Sequence, residues 1–256
     1  MSARTIARIC AAAALLAAAA VGAQKSEQDR VRVFASLPNW TGYWIADDGV
    51  ENATGVSGRT EKGNADYVKI KLAAPLPYTA DFAAKVDAAR KSQASRDTGK
   101  ECGFPFPFMM ESPWVLQFLI TPEETDVIVA GREIRHIYTD GRAHPSPDDV
   151  WPTPWGDSVG KWEGHVLVVD TIAVKSGMFP PLVSEHARYT ERIRMVSPDR
   201  MEDEITVVDP TALTKEWKAT IPYQRVQGLD RMVHGDCTEN DRNPVVDGKL
   251  TIAPAN

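Results

Sequence analysis

Short runs of alternating apolar and polar residues dominate the chain between residues 115 and 223. Such runs, separated by turns every dozen or so residues, are typical of antiparallel β-strands that bury one face. We interpret seven ranges as strands: Val115–Ile120, Asp126–Val129, Glu133–Thr139, His165–Thr171, Arg188–Val196, Glu202–Val208 and Lys215–Tyr223. An earlier aromatic run, Pro38–Ile45, predicts one more strand. Eight short strands in succession predict an antiparallel meander.

Helices that could connect parallel strands are missing from this pattern. Only the range 79–96 predicts a convincing helix, because Thr79 can cap it and Phe82 and Val86 recur at helical spacing. Parallel strands need long crossover connections, which are usually helices. The sequence therefore predicts a mostly β fold. The expected form is an antiparallel meander closed into a calycin-like barrel or packed as a sandwich, with one helix in the N-terminal half and long loops.

The first 23 residues have the pattern of a secretory signal peptide. Arg4 and Arg8 precede an apolar run, residues 9–21, and small residues follow at a cleavage-like position. The predicted location is the periplasm or the exterior, and no later apolar run is long enough to predict a membrane span. We predict four regions: a signal peptide 1–23, an N-terminal strand, loop and helix region 24–100, a barrel core 101–240 and a C-terminal tail 241–256.

The net charge of the chain without its signal peptide makes some classes of partner unfavourable, and its cysteines predict a disulfide. Removing Arg4 and Arg8 from the 29 basic residues leaves 27, against 35 acidic residues. An acidic chain without a basic stripe is a poor candidate for binding nucleic acid. Cys102 and Cys237 are the two cysteines outside the signal peptide, and an oxidising compartment predicts that they form a disulfide. The alternative is a reactive or metal-binding pair.

A polar and aromatic stretch between residues 131 and 171 carries the candidate chemistry. Asp140, Arg142 and His144 follow an Asp-Gly turn within five residues. A carboxylate that orients an imidazole beside a guanidinium is the minimum set for general acid–base catalysis. Asp170, which ends an apolar strand face, completes the candidate catalytic residues and is expected at a barrel rim or buried beside a partner. In the structural alternative these turn residues are solvated and His144 anchors a loop.

Aromatic and methionine side chains near this stretch predict the wall of a ligand site. Indoles can stack on a ring-shaped ligand or simply cover one end of a barrel, and the methionines can plug the core or line a pocket. The candidate ligand-binding residues are Tyr138, Trp155, Trp162, Glu163, Met109 and Met110. No HExxH, HxH or CxxC spacing, phosphate-binding glycine loop or GxSxG turn is present, so we predict no metal and no cofactor.

Three motifs resemble a family of secreted bacterial proteins of largely unassigned function. They are the segments Arg135–Pro145, Ser158–Gly164 and Leu167–Thr171, and the resemblance extends over roughly residues 100 to 240. It implies no activity. It does imply a shared pattern that contains six candidate residues, namely Asp140, Arg142, His144, Trp162, Glu163 and Asp170. Arg188 stands where the pattern leads us to expect a histidine.

Three functions are compatible with these observations. The first is an exported barrel that binds a small aromatic or polar-apolar ligand, with a possible acid–base site in residues 140–170. The second is a lyase, isomerase or hydrolase that uses His144 as general base, and the third is a non-catalytic envelope structural or interaction protein. The shape of a pocket distinguishes the first two from the third, and the position of His144 relative to that pocket distinguishes the first from the second.

Overall fold

A computed structural model of the protein describes residues 27–46, 76–91, 106–110, 114–129, 133–176, 183–232, 245–246 and 249–250. The chain divides into two compact units, residues 1–37 and 38–256. In the first unit a single helix is described, α1 (Glu27–Ser36), which the sequence does not predict. None of its residues is buried, and the apolar side chains of Val31 and Phe34 are exposed.

The second unit contains every other described element. Helix α2 spans Ala80–Lys91, and a 3-10 turn spans Phe108–Met110. The barrel strands are β1 (Tyr43–Ala46), β2 (Val115–Ile120), β3 (Glu124–Val129), β4 (Glu133–Tyr138), β5 (Asp157–Glu163), β6 (Val166–Ile172), β7 (Arg188–Ser197), β8 (Arg200–Val208) and β9 (Trp217–Arg225). A separate pair, β10 (Val245–Val246) and β11 (Lys249–Leu250), lies where the sequence predicts an aperiodic tail.

The nine strands β1 to β9 form a closed barrel in sequence order, which confirms the predicted fold class. Strand β1 closes it by pairing with both β2 and β9. The barrel therefore begins before residue 101, the expected start of the barrel core. Every neighbouring pair is antiparallel except β4 and β5, which run parallel through the pairing of Tyr138 with Val159. The sequence predicts no parallel pair, because no helix is available to make the crossover.

An irregular segment, residues 139–156, makes that crossover instead. It returns the chain to the end of the barrel at which β4 began, so that β5 runs in the same direction as β4. Strand β5 is absent from the sequence prediction because its inward positions include Ser158 and Gly160, which give no apolar alternation. Gly160 has a packing reason, since a Cβ atom there would lie 2.9 Å from the Ile137 side chain on β4.

Alternating burial places one face of each barrel strand inside. In β6 the buried residues are Leu167, Val169 and Thr171, and the intervening side chains are more exposed. The cross-strand partners Trp162, Leu167, Ile193 and Asp203 form one row across β5 to β8. Burial of each large apolar side chain in such a core stabilises the fold by about 1.5–3 kcal/mol.

Two further segments contribute to the core of this unit. Helix α2 is capped as predicted, since the Phe82 amide donates to Thr79 Oγ1 at 3.3 Å, and Phe82 and Val86 are buried. The predicted helix extends to residue 96, and residues 92–100 lie outside the described ranges. The segment 106–110 is buried through Phe106, Met109 and Met110, as expected of a plug or a pocket wall.

Several predictions concern residues outside the described ranges. These are the signal peptide at residues 1–23 and the cysteines Cys102 and Cys237. Within the part of the chain that is described, no helix combines the length and apolar character needed to span a bilayer.

Candidate functional site

His144 lies on the outer face of the barrel, between two carboxylates. Its Nδ1 is 2.5 Å from Asp157 Oδ1 at the start of β5, and its Nε2 is 3.2 Å from Asp170 Oδ2 near the end of β6. The imidazole is half-buried, with 15% of the side chain exposed. The crossover segment is therefore held against β5 and β6 by a side chain that the sequence singles out. Asp157, its closest partner, is not among the predicted site residues.

Asp170 is also paired with Arg188 at the start of β7. Arg188 Nε donates to Asp170 Oδ1 at 2.7 Å, and its Nη2 donates to Oδ2. Partial burial by itself would raise the pKa of Asp170, but the hydrogen bond and charge of Arg188, aided by His144, lower that pKa overall. The cation beside this site is thus Arg188, not the predicted Arg142.

Asp140 and Arg142 form a separate surface cluster. Arg142 donates to both carboxylate oxygens of Asp140, and its guanidinium lies 4.0 Å from the centre of the Tyr138 ring. The hydrogen bond to Arg142 lowers the pKa of Asp140, and the same bond raises the pKa of Arg142. Asp140 is bonded to Arg142, and it is Asp157 and Asp170 that orient His144.

The predicted ligand-binding residues lie in different environments. Trp162 packs inside the barrel against Trp40, with ring centres 5.1 Å apart. Glu163 pairs with Lys161 and then Arg192 on the outer face, and both bonds lower its pKa. Trp155 donates its indole N–H to Glu133 Oε2 at 2.8 Å. Met109 and Met110 are fully buried in the core, and Trp155 and Trp162 pack against that core as partly buried side chains.

The outer cluster has a limited capacity for acid–base chemistry. A general base needs a nitrogen that can reach a substrate proton, and both nitrogens of His144 are within hydrogen-bonding distance of carboxylates. A substrate would have to displace Asp157 or Asp170 first. The geometry therefore favours His144 as an anchor of the crossover segment.

The barrel interior contains an ion pair that the sequence analysis missed. Arg135 on β4 donates to Glu191 Oε1 at 2.8 Å and to Oε2 at 2.5 Å, and both side chains are 0% exposed. The guanidinium also donates to the hydroxyl groups of Ser158 at 3.1 Å and Thr171 at 2.9 Å. Its face covers the Phe106 ring at 4.1 Å from the ring centre.

A second buried acid, Asp203 on β8, lies beside this pair. No N–H or O–H group among the described residues donates to either of its oxygens. Burial, and then the charge of Glu191, raise the pKa of Asp203 well above its usual range, while Arg135 acts in the opposite direction. The neutral carboxyl has one O–H, and Glu191 is the acceptor beside it.

A sequence signal for this interior group exists. Arg135 and Asp203 occupy inward positions of strands in which the alternate residues are apolar, such as Ile137 on β4 and Met201 and Ile205 on β8. A charged residue in phase with buried positions predicts either a buried pair or a wrong strand register. No local sequence motif contains the whole group, because its members come from β4, β7 and β8.

One described group could hold a metal ion. Glu124 and Asp126 on β3 and His136 on β4 offer ligand atoms within 4.8 Å of one another. His136 Nδ1 lies 2.8 Å from an oxygen of each carboxylate, and the imidazole is 52% exposed. The sequence predicts no metal site, because these residues match no recognised ligand spacing. Protein ion pairs of the same composition are common on surfaces, so the group by itself identifies no function.

Comparisons of this chain with family models, with curated proteins and with solved structures found no match.

Proposed function

We propose that this chain is an exported barrel protein that binds a small molecule in the barrel interior. The polar end of the site is formed by Arg135 and Glu191, and its apolar wall includes Trp162 and the Met109–Met110 pair. The ligand would be a small aromatic or polar-apolar compound. The fully buried Arg135–Glu191 ion pair is the observation that carries the proposal.

The energetics of buried charge support an interior site. Moving two charges from water into a protein core costs several kcal/mol for each ion, and a well-packed apolar pair of similar volume is often at least as stable. An apolar pair could therefore replace Arg135 and Glu191 in the fold. The bonds from Arg135 to Ser158 and Thr171 hold its guanidinium in a fixed geometry. Strongly perturbed ionisable groups such as Asp203 also cluster at functional sites more often than elsewhere.

The surrounding apolar residues support the same location. Trp40 contacts both Trp162 and Phe118, and Phe106 contacts Tyr189 with ring centres 5.1 Å apart. The indole N–H groups of Trp40 and Trp162 are buried and meet no acceptor within the described ranges. A ligand with an acceptor group would satisfy such donors, and flat aromatic surfaces suit a ring-bearing ligand.

Two adjacent residues provide a test, because Trp162 points into the barrel and Glu163 points out. A library of small aromatic and polar-apolar compounds would be screened against the exported chain by thermal shift and indole fluorescence. For any compound that binds, Trp162→Phe should weaken binding at least tenfold, about 1.4 kcal/mol. The matched outer-face variant Glu163→Gln should bind as the unmodified protein does.

Two results would contradict the proposal. One is a library in which no compound raises the melting temperature or changes the indole fluorescence. The other is a compound whose binding is lost with Glu163→Gln and kept with Trp162→Phe, which would place the site on the outer face near the crossover segment. Circular dichroism of both variants provides the control for folding.

A further inference from the structure

Among the described residues, the polar cluster in the barrel interior has two acidic side chains, Glu191 and Asp203, and one basic side chain, Arg135. All three guanidinium nitrogens of Arg135 donate to Glu191, Ser158 or Thr171. Asp203 is 0% exposed and receives no hydrogen bond from any described residue. Arg135 and Glu191 balance each other in charge, so an ionised Asp203 would be an uncompensated buried anion.

The protonated form of Asp203 avoids this uncompensated buried charge. Burial, and then the charge of Glu191, raise the pKa of Asp203 and so favour its neutral form. A cation with N–H groups could take the place of this proton, since it would supply both the positive charge and the hydrogen bonds that the two oxygens lack. The site is thus complementary to a ligand that donates hydrogen bonds and carries one positive charge.

We propose that the ligand of the barrel interior is a primary or secondary amine in its protonated form, held by a charge-assisted hydrogen bond to Asp203. This inference rests on the interior site proposed above and names the chemical class of its ligand. On binding, the Asp203 O–H bond breaks and its proton leaves to the solvent. The ammonium group keeps its own protons and forms N–H···O bonds to the resulting carboxylate.

The register of the strands places an aromatic side chain in the same inward row as Asp203, three strands away. Asp203 pairs with Ile193, which pairs with Leu167, which pairs with Trp162, so Asp203 and Trp162 occupy one inward row. An aryl-alkyl amine could therefore place its ring among the aromatic side chains while its ammonium group meets Asp203.

Three compounds with the same phenylethyl group test whether the site recognises the positive charge, the N–H groups or only the apolar part of the ligand. The probe is 2-phenylethylamine, with 2-phenylethanol as its neutral counterpart and the trimethylammonium derivative as a cation without N–H groups. Binding to the folded full chain would be measured by calorimetry near neutral pH in two buffers of different protonation enthalpy. We expect saturable binding of the amine with release of about one proton, because one cation replaces one proton. Both counterparts should bind at least tenfold more weakly.

Two variants on one strand assign the effect to the interior. Asp203→Asn keeps the shape of the neutral carboxyl and cannot ionise, so it should weaken amine binding at least tenfold and abolish proton release. Glu204→Gln removes a charge from the next residue, which faces outward and pairs with Arg194 at 2.8 Å, and should change neither. Proton release by the unmodified protein tests the inference even if Asp203→Asn does not fold.

The outcomes distinguish this inference from the proposed function. Equal binding of the amine and the alcohol without proton release would overturn the amine assignment and leave the interior site intact. Equal binding of the trimethylammonium compound, or unchanged binding by Asp203→Asn, would also overturn it. If no compound binds, including those of the wider library, both proposals fail.

Discussion

At the scale of single residues, Asp203 shows how burial changes the chemistry of an ordinary carboxyl group. Its raised pKa has a defined consequence for stability. Below the pKa of the unfolded chain, about 3.9, both states hold the proton and the full stability of this group is present. As the pH rises past that value, the unfolded chain ionises first, so the free energy of unfolding falls until the pH passes the folded pKa.

We therefore expect Asp203→Asn to be stabilised relative to the unmodified protein as the pH increases. The amide has no proton to lose and can still donate to Glu191, so the variant lacks the loss of stability that ionisation of the unfolded carboxyl causes. Denaturant unfolding of both proteins between acidic and slightly alkaline pH would measure the difference, which grows by about 1.4 kcal/mol for each unit between the folded and unfolded pKa until it levels off. A difference that is independent of pH would contradict the neutral state of Asp203.

The Arg135–Glu191 pair gives a second prediction at this scale. Glu191→Ala leaves a buried guanidinium without its charge partner, and we expect a loss of about 3–5 kcal/mol in the free energy of unfolding. Replacing both residues by apolar ones, as in Arg135→Met with Glu191→Leu, should recover most of this loss. Equal destabilisation by the single and the double variant would show that the pair is needed for the fold.

At the scale of elements, the crossover segment is the part of the barrel that departs from a meander. His144 connects this segment to β5 and β6 through Asp157 and Asp170. His144→Ala should lower the free energy of unfolding by about 1–2 kcal/mol, because the partly buried carboxylate of Asp157 loses its hydrogen bond to the imidazole. Faster amide hydrogen exchange within residues 139–156, with unchanged ligand affinity per folded molecule, should accompany the loss.

This expectation replaces the one drawn from the sequence alone. If His144 were a site residue on a loop, His144→Ala would change the stability only modestly and would lower binding or turnover at least tenfold. The structure places the imidazole outside the barrel, with both nitrogens engaged. A tenfold loss of binding at constant melting temperature would restore the earlier interpretation.

Strand β5 depends on a glycine where it meets β4. Gly160→Val would place a Cβ atom 2.9 Å from the Ile137 side chain and 3.3 Å from the Leu167 side chain. We expect a loss of about 1–3 kcal/mol from overpacking, measured as a lower denaturation midpoint. Lys161→Ala, at the exposed neighbouring position, is the matched control and should have little effect. Tolerance of Val at 160 would mean that β4 and β5 are less tightly packed than the structure indicates.

At the scale of the whole molecule, the predicted disulfide would join the middle of the chain to its C-terminal part. Cys102 and Cys237 lie outside the described residues, so this prediction rests on the sequence. A loop of about 135 residues corresponds to about 4–5 kcal/mol in the chain-entropy model. Alkylation of the exported, folded chain without reductant should therefore label no cysteine, and reductant should lower the melting temperature. Two labelled cysteines would contradict the prediction.

The sequence determined the fold class because alternating burial leaves a period of two that is visible along the chain. The alternating pattern located seven of the barrel strands within a few residues, and Thr79 was correctly predicted to cap α2. Where burial leaves no period, prediction failed. Helix α1 buries nothing, and the inward face of β5 carries Ser158 and Gly160.

Only the tertiary structure decided which of the candidate residues act together. Asp140, Arg142 and His144 follow one another in one short loop of the sequence. In the structure Arg142 donates to Asp140, whereas the hydrogen-bond partners of His144 come from β5 and β6. Arg135 is 56 residues from Glu191 along the sequence, and the two meet, with Asp203 beside them, because the barrel closes. Contacts between strands distant in sequence depend on register and closure, and no local pattern of residue types specifies those.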